Sequence, residues 1–181
     1  MIELELIQIN EYELSDCQRS QILSLLQDCF SDYFEERIFF KQMSRERLLA
    51  YSDGLLIGHL GLEHRAIKIG DQFASIFGIV DLCVKEENRR QGVATELLRT
   101  VEGKAVANDI NFCLLFADEH KLYQNSGYTL FENDCIWFGI DECKSIGMIE
   151  RRLTDCMMAK RISGDIPWDE THTVDLLGHL F

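Results

Sequence analysis

Val80-Asp81-Leu82-Cys83-Val84 leads through a charged turn into Arg89-Arg90-Gln91-Gly92-Val93-Ala94. An apolar strand thus ends in a loop of small residues that opens a helix. A helix start leaves backbone N–H groups without intrahelical acceptors, and the helix dipole adds positive potential there. Such an end attracts anions, phosphates above all. Gly92 and Ala94 let a phosphate approach the main chain, and Arg89 and Arg90 add charge. Beyond the loop, Val93, Leu97, Val101 and Ala105 recur at helical spacing, with Ala94 and Leu98 beside them. That pattern reads as an amphipathic helix packed on a sheet. The loop is not a Walker loop, because no G-K-[ST] follows, and it lacks the G-x-G-x-x-G spacing of a dinucleotide site.

Upstream, Asp53-Gly54 lies between Leu48–Tyr51 and Leu55–Ile57, a strong hairpin signal. Gly70-Asp71 marks a second turn, between Arg65-Ala66-Ile67 and the run from Phe73 to Val84. Together the two turns predict three consecutive antiparallel strands. Ile2, Leu4 and Leu6 alternate with Glu3 and Glu5, which predicts a first strand. Ser15-Asp16-Cys17-Gln18 matches a capping box, and a helix over 16–30 would place Ile22, Leu25, Leu26, Cys29 and Phe30 on one face. Residues 33–43 read as a second, shorter helix.

Downstream, Phe112–Phe116 reads as a short buried strand, and 119–126 as a short helix that stops at Gly127, a natural C′ glycine. Tyr128–Phe131, Ile136–Ile140 and Cys156–Ile162 are further strands. The fold class is α/β, in the mixed α+β sense. An antiparallel N-terminal sheet feeds a strand–helix–strand crossover, within one domain over 1–181.

The 181 residues suffice for one sizeable core. With 18 Lys and Arg against 31 Asp and Glu, the net charge is −13. That charge argues against nucleic acid and against a basic membrane-binding patch. It suits cationic small molecules such as polyamines or amino sugars, and equally it suits simple solubility. Seven cysteines include no C-x-x-C pair, and the five histidines complete no metal-ligand pattern, so no metal is expected. Free thiols, no signal peptide and no apolar span point to the cytoplasm.

Arg89-Arg90-Gln91-Gly92-Val93-Ala94 resembles the [QR]-x-x-G-x-[GA] pyrophosphate loop of the GNAT superfamily of acetyl-CoA-dependent N-acetyltransferases. Leu122-Tyr123-Gln124-Asn125-Ser126-Gly127-Tyr128 resembles that family's tyrosine in a short helix before a Gly-aromatic pair. The resemblance covers residues 45–131 and implies a twisted, mostly antiparallel central sheet flanked by helices. By the resemblance, Arg89, Arg90, Gln91, Gly92, Val93, Ala94 and Thr95 hold the coenzyme A pyrophosphate. Leu82, Cys83 and Val84 pair through their main chain with the pantetheine arm. Tyr123 is the candidate acid for the leaving thiolate; its alternative role is aromatic packing.

Asp81 is a carboxylate in an apolar strand, which is costly unless it is paired or functional. It could bind the substrate ammonium and accept its proton, directly or through water. Alternatively Arg65 or a neighbouring strand partners it. Cys83 could in principle carry an acetyl group, but a buried core thiol is the simpler reading. His59, Glu63 and His64 lie on the preceding strand and read first as packing or solvated residues.

Several stretches are similar to the aminoglycoside 2′-N-acetyltransferase branch: Asp81, Ala117-Asp118-Glu119, and the acidic run Phe30-Ser31-Asp32-Tyr33 with Glu35-Glu36. That branch closes with a tail over the acceptor, matched here within 163–181 and ending at Phe181. His179 departs from it, standing where the branch has an acid. The resemblance makes Asp32, Glu36, Asp175 and the Phe181 carboxylate an acidic acceptor site; the alternative is a solvated rim. The expected reaction is direct acetyl transfer from acetyl-CoA to a small primary amine, and the resemblance allows a homodimer. A protein or peptide N-acetyltransferase and a non-catalytic acetyl-CoA sensor are the rival readings.

Overall fold

The computed structural model describes residues 3–30 and 36–181. The chain divides into two compact units, 1–63 with 80–100, and 64–79 with 101–181.

The first unit holds β1 (Glu5–Asn10), α1 (Asp16–Cys29), β2 (Glu46–Ser52) and the first part of β3 (Leu55–Ile69). It also takes the end of β4 (Gln72–Val84) and the start of α2 (Val93–Ala107). β1 runs antiparallel to β2, and β2 antiparallel to β3. The first strand begins at Glu5, later than the alternation from Ile2 suggests; its register sets Ile7 opposite Leu49. α1 has its capping box: Gln18 N–H donates to Ser15 Oγ, and Ser15 N–H donates to Gln18 Oε1. Its Ile22, Leu25 and Leu26 are buried against Leu49, Tyr51, Leu56 and Cys83.

The Asp53-Gly54 turn forms as expected, with both residues at positive φ, 50° and 76°. Gly58 in β3 leaves room for α2: a Cβ there would stand 2.9 Å from Val93 Cγ1 and 3.3 Å from Ala50 Cβ.

The expected helix over 33–43 does not form at 36–43; residues 33–35 lie outside the described ones. The reason is tertiary. The buried Ile38 side chain joins the α1 core, and its carbonyl accepts 2.7 Å from Arg47 Nη2. A backbone group spent on a distant arginine is not available to a helical ladder.

The second unit adds β5 (Phe112–Phe116), α3 (Lys121–Asn125), β6 (Thr129–Leu130), β7 (Asn133–Asp141), β8 (Lys144–Leu153), β9 (Met157–Arg161) and β10 (Val174–His179). Strand order is β6-β9-β5-β4-β3-β10-β7-β8. β5 is parallel to β4, with Ile76 opposite Phe112 and Ile79 opposite Leu115. β10 is parallel to β7 and antiparallel to β3, and β9 is antiparallel to β5. Ile67, Ile76, Phe112, Leu114, Cys135, Met157, Val174 and Leu176 build the core.

Two strands lie outside the sequence expectations. β8 is exposed over Lys144–Met148, so no buried face marks it. β10 falls in the stretch read as a closing tail. It is instead an inner strand, because Val174 and Leu176 are fully buried between its neighbours.

Candidate functional site

In the first unit, β4 is regular up to an irregularity at Asp81, whose φ is 49°. A non-glycine residue at positive φ inside a strand marks a local kink of the β-bulge kind, a device that re-aims backbone and side chain. His59, wholly buried on β3, sits behind it: His59 Nδ1 lies 2.9 Å from the Asp81 carbonyl oxygen. Arg47 Nη1 lies 2.8 Å from His59 Nε2. A guanidinium only donates, so Nε2 accepts and the ring proton sits on Nδ1, which donates to Asp81. Burial first, then the Arg47 charge, pushes the imidazole down to about 3, so it is neutral at physiological pH. Arg47 in turn donates through Nε to Glu11 Oε2 at 2.5 Å and through Nη2 to Ile38 O.

The Asp81 carboxyl is pushed up to about 6, because burial outweighs the positive charges of Arg47 and Lys41. Two residues on, the buried Cys83 thiol is raised well above its ordinary value by its hydrogen bond with Cys29 and by burial. Cys29 is lowered to about 7 by that same bond, with help from Arg89 and against burial. Cys29 Sγ also lies 3.6 Å from Val84 O.

The loop follows. Arg89 Nε donates to Val84 O at 3.1 Å, and Gln91 Nε2 donates to Glu87 O at 2.9 Å. Arg90 and Gly92 stand at positive φ, 62° and 89°. A Cβ at Gly92 would meet nothing within 4 Å, so the main chain there is open to a ligand. Gly92 O accepts from Glu96 N–H at 3.0 Å, the first turn of α2. The N–H groups of Val93, Ala94 and Thr95 therefore precede the helical ladder and have no intrahelical acceptor. Open main chain, first-turn donors and two arginines are the donor set a pyrophosphate requires.

The second unit places Tyr123 in α3, half-buried, with its ring edge-on to Tyr128 at 6.1 Å. Gly127, at φ 87°, ends that helical turn, and Tyr128 N–H donates to Tyr123 O at 3.0 Å. Lys160 Nζ fastens the same turn, donating to Ser126 O at 2.8 Å and to Glu102 Oε2 at 2.7 Å. Asp175 Oδ1 accepts from Leu177 N–H at 2.9 Å, which supports an irregular step in β10. The Phe181 ring lies against Gly78, edge-on to Phe116 at 5.3 Å, with the Arg65 guanidinium 4.8 Å over it.

Of the residues read from sequence, the first unit gathers Asp81, Leu82, Cys83, Val84 and Arg89 to Thr95, and it holds Glu36 exposed. Tyr123, Asp175 and Phe181 belong to the second. Asp32 lies outside the described residues. Arg65, in the second unit, donates through Nη1 to His179 O at 2.7 Å. His64 packs edge-on against Phe77. Sequence reasoning missed Glu11 and Arg47 and undervalued His59. The available signal was a charge beside the apolar run Leu48–Tyr51, which must be paired if buried.

The family model described as "Acetyltransferase (GNAT) domain" matches residues 12–131, two thirds of the chain and both motifs. The chain belongs to the GNAT acetyltransferase family. This GNAT chain has no match among curated protein sequences. Its fold is similar to that of the GNAT family N-acetyltransferase YhbS from Escherichia coli, solved in complex with CoA: TM-score 0.65, 17% identity, 97% of this chain and 90% of that one. A GNAT family acetyltransferase from Brucella melitensis in complex with acetyl-CoA gives TM-score 0.59 at 12% identity, over 92% and 93%. Eis1 from Mycobacterium abscessus gives 0.60 at 15% identity; 74% of this chain is matched, and it spans 33% of that longer chain. These likenesses show the fold. No helix among the described residues is long and apolar enough to cross a membrane, and among them no group of three His, Cys, Asp or Glu could hold a metal.

Proposed function

We propose that this chain is an acetyl-CoA-dependent N-acetyltransferase acting on the primary amine of a small cationic molecule by direct transfer. The observation that carries the reading is Asp81, a carboxyl raised to about 6 on a positive-φ kink just ahead of the open Gly92 loop. Above that value it is ionised, so it attracts an ammonium; because its affinity for a proton is raised, it can also take one from that ammonium. The freed amine attacks the thioester carbonyl carbon, the C–S bond breaks, and Tyr123 gives the leaving thiolate its proton. Arg89 to Thr95 hold the pyrophosphate, and backbone donors of Leu82 to Val84 face the pantetheine and the thioester oxygen. The Cys83 thiol, raised and buried, stays protonated and is a poor nucleophile, which favours direct transfer over an acetyl-cysteine route.

The acceptor is assigned to the acidic residues Asp32, Glu36 and Asp175 and to the Phe181 ring, with aminoglycosides and polyamines the classes that fit. Seven cysteines outside any disulfide support a cytoplasmic setting. The reading allows a homodimer, which light scattering would detect.

A thiol-release assay with acetyl-CoA against polyamines, aminoglycosides, amino acids and short peptides tests the proposal. Release with a cationic small molecule is expected. Turnover of peptides alone would move the reading to a protein N-acetyltransferase. Tight acetyl-CoA binding with no release across the whole panel would make the chain a sensor.

A further inference from the structure

The buried side chains of Glu11, Arg47 and His59 have no part in the chemistry proposed above, yet their chain of hydrogen bonds ends on the backbone carbonyl of Asp81, in the strand assigned to the thioester. Its last link is the informative one. His59 receives a hydrogen bond from Arg47 on Nε2, so the ring proton is held on Nδ1 and points at the Asp81 carbonyl. That carbonyl and the N–H of Leu82 belong to one peptide group. The peptide bond between Asp81 and Leu82 is trans, so the two point in opposite directions. With the carbonyl turned to His59, the Leu82 N–H is turned away from it. In a regular strand nothing would demand so costly a partner. Here the φ of 49° at Asp81 must be held against its natural preference.

We infer that His59 is a positioning residue for acetyl transfer: by holding the Asp81 carbonyl it presents the Leu82 N–H to the thioester oxygen. Arg47 and Glu11 serve it by selecting the tautomer, since the guanidinium donates to Nε2 and the Glu11 carboxylate balances the buried positive charge. The inference rests on the assignment of β4 to acetyl-CoA.

Infrared difference spectra of acetyl-CoA isotope-labelled at the carbonyl carbon test it, because a hydrogen bond to a thioester oxygen lowers the carbonyl stretch. The proteins are the wild type, His59→Asn, His59→Gln and His59→Leu, each checked for folding by circular dichroism and thermal melting. Asn keeps a donor at the Nδ1 position, Gln keeps an acceptor for Arg47 at the Nε2 position, and Leu keeps neither.

A downshift on binding is expected in the wild type and His59→Asn, and its loss in His59→Gln and His59→Leu, with acetyl-CoA Kd changed only a few-fold. With an acceptor from the panel, kcat should fall on the order of 10²-fold in the Leu variant, the scale of losing an oxyanion donor. A wild-type downshift in both His59→Gln and His59→Leu overturns the inference. So does its complete loss in a folded His59→Asn. A wild type that binds acetyl-CoA with no downshift removes the Leu82 donor and the inference together. A wild type that does not bind acetyl-CoA at all brings down the proposed function itself.

Discussion

The two units bury polar groups differently. Among the described residues, Glu11, Ser44, Arg47 and His59 are buried in the first, and Asn133 in the second. In the first the buried groups include an ion pair, and its far end holds a kinked strand. In the second, the neutral Asn133 amide donates to Asp169 O and His172 O, and its oxygen accepts from Trp168 Nε1. Both devices fasten irregular chain, but one uses charge and the other uses neutral hydrogen bonds. The contrast teaches where irregular backbone is worth more than cheap burial: beside the strand assigned to chemistry.

Removing one partner separates the two devices most sharply. Arg47→Leu takes the buried partner from the Glu11 carboxylate, which keeps Arg19, and from His59 Nε2 and Ile38 O, and should cost about 3–5 kcal/mol. Asn133→Leu strands only neutral groups and should cost about 1–3 kcal/mol. Urea unfolding measures both, and equal losses would break the comparison.

Tyr123→Phe should lower kcat on the order of 10²-fold, the general-acid contribution, with CoA affinity unchanged. A full rate in a chemistry-limited step would leave Tyr123 with packing alone.

Gly92→Val puts a β-branched residue at a φ of 89° over an open phosphate site. Calorimetry should show CoA affinity reduced roughly tenfold, the lower range of such strain. Unchanged affinity would end the loop assignment.

Asp81→Asn sharpens the comparison through pH. The folded carboxyl is raised to about 6, above its ordinary 3.8, so folding disfavours the ionised form. The stability it contributes is present at acid pH and lost as pH rises through about 6. The Asn variant should therefore melt higher than wild type at pH 8 and equally at pH 3, while its acetyl transfer falls.

The smallest effect expected is at the exposed Arg99–Glu96 pair, where Arg99→Ala should change stability by less than about 0.5 kcal/mol.

What could be read from sequence was local. The Ser15–Gln18 capping box, the Asp53-Gly54 turn and the apolar stripe of α2 each complete their signal within a few residues. β10 could not be read so. It has only Val174 and Leu176 buried, then Leu177 at a φ of 48°. The strand exists because β3 and β7 offer it edges, not because its own pattern is strong. Residues 36–43 failed in the opposite sense, since a buried arginine took the Ile38 carbonyl that a helix would have used.

By itself the sequence determined the strand, loop and helix from Val80 to Ala105, and with them the family. Those features follow from periodicity, a glycine and two arginines, all near neighbours in the chain. Tertiary structure alone decided the conformation of Asp81, the tautomer of His59 and the proton affinities around them. Each depends on groups far apart in sequence and close in space, Glu11, Arg47, His59 and Asp81, whose burial makes every hydrogen bond between them count.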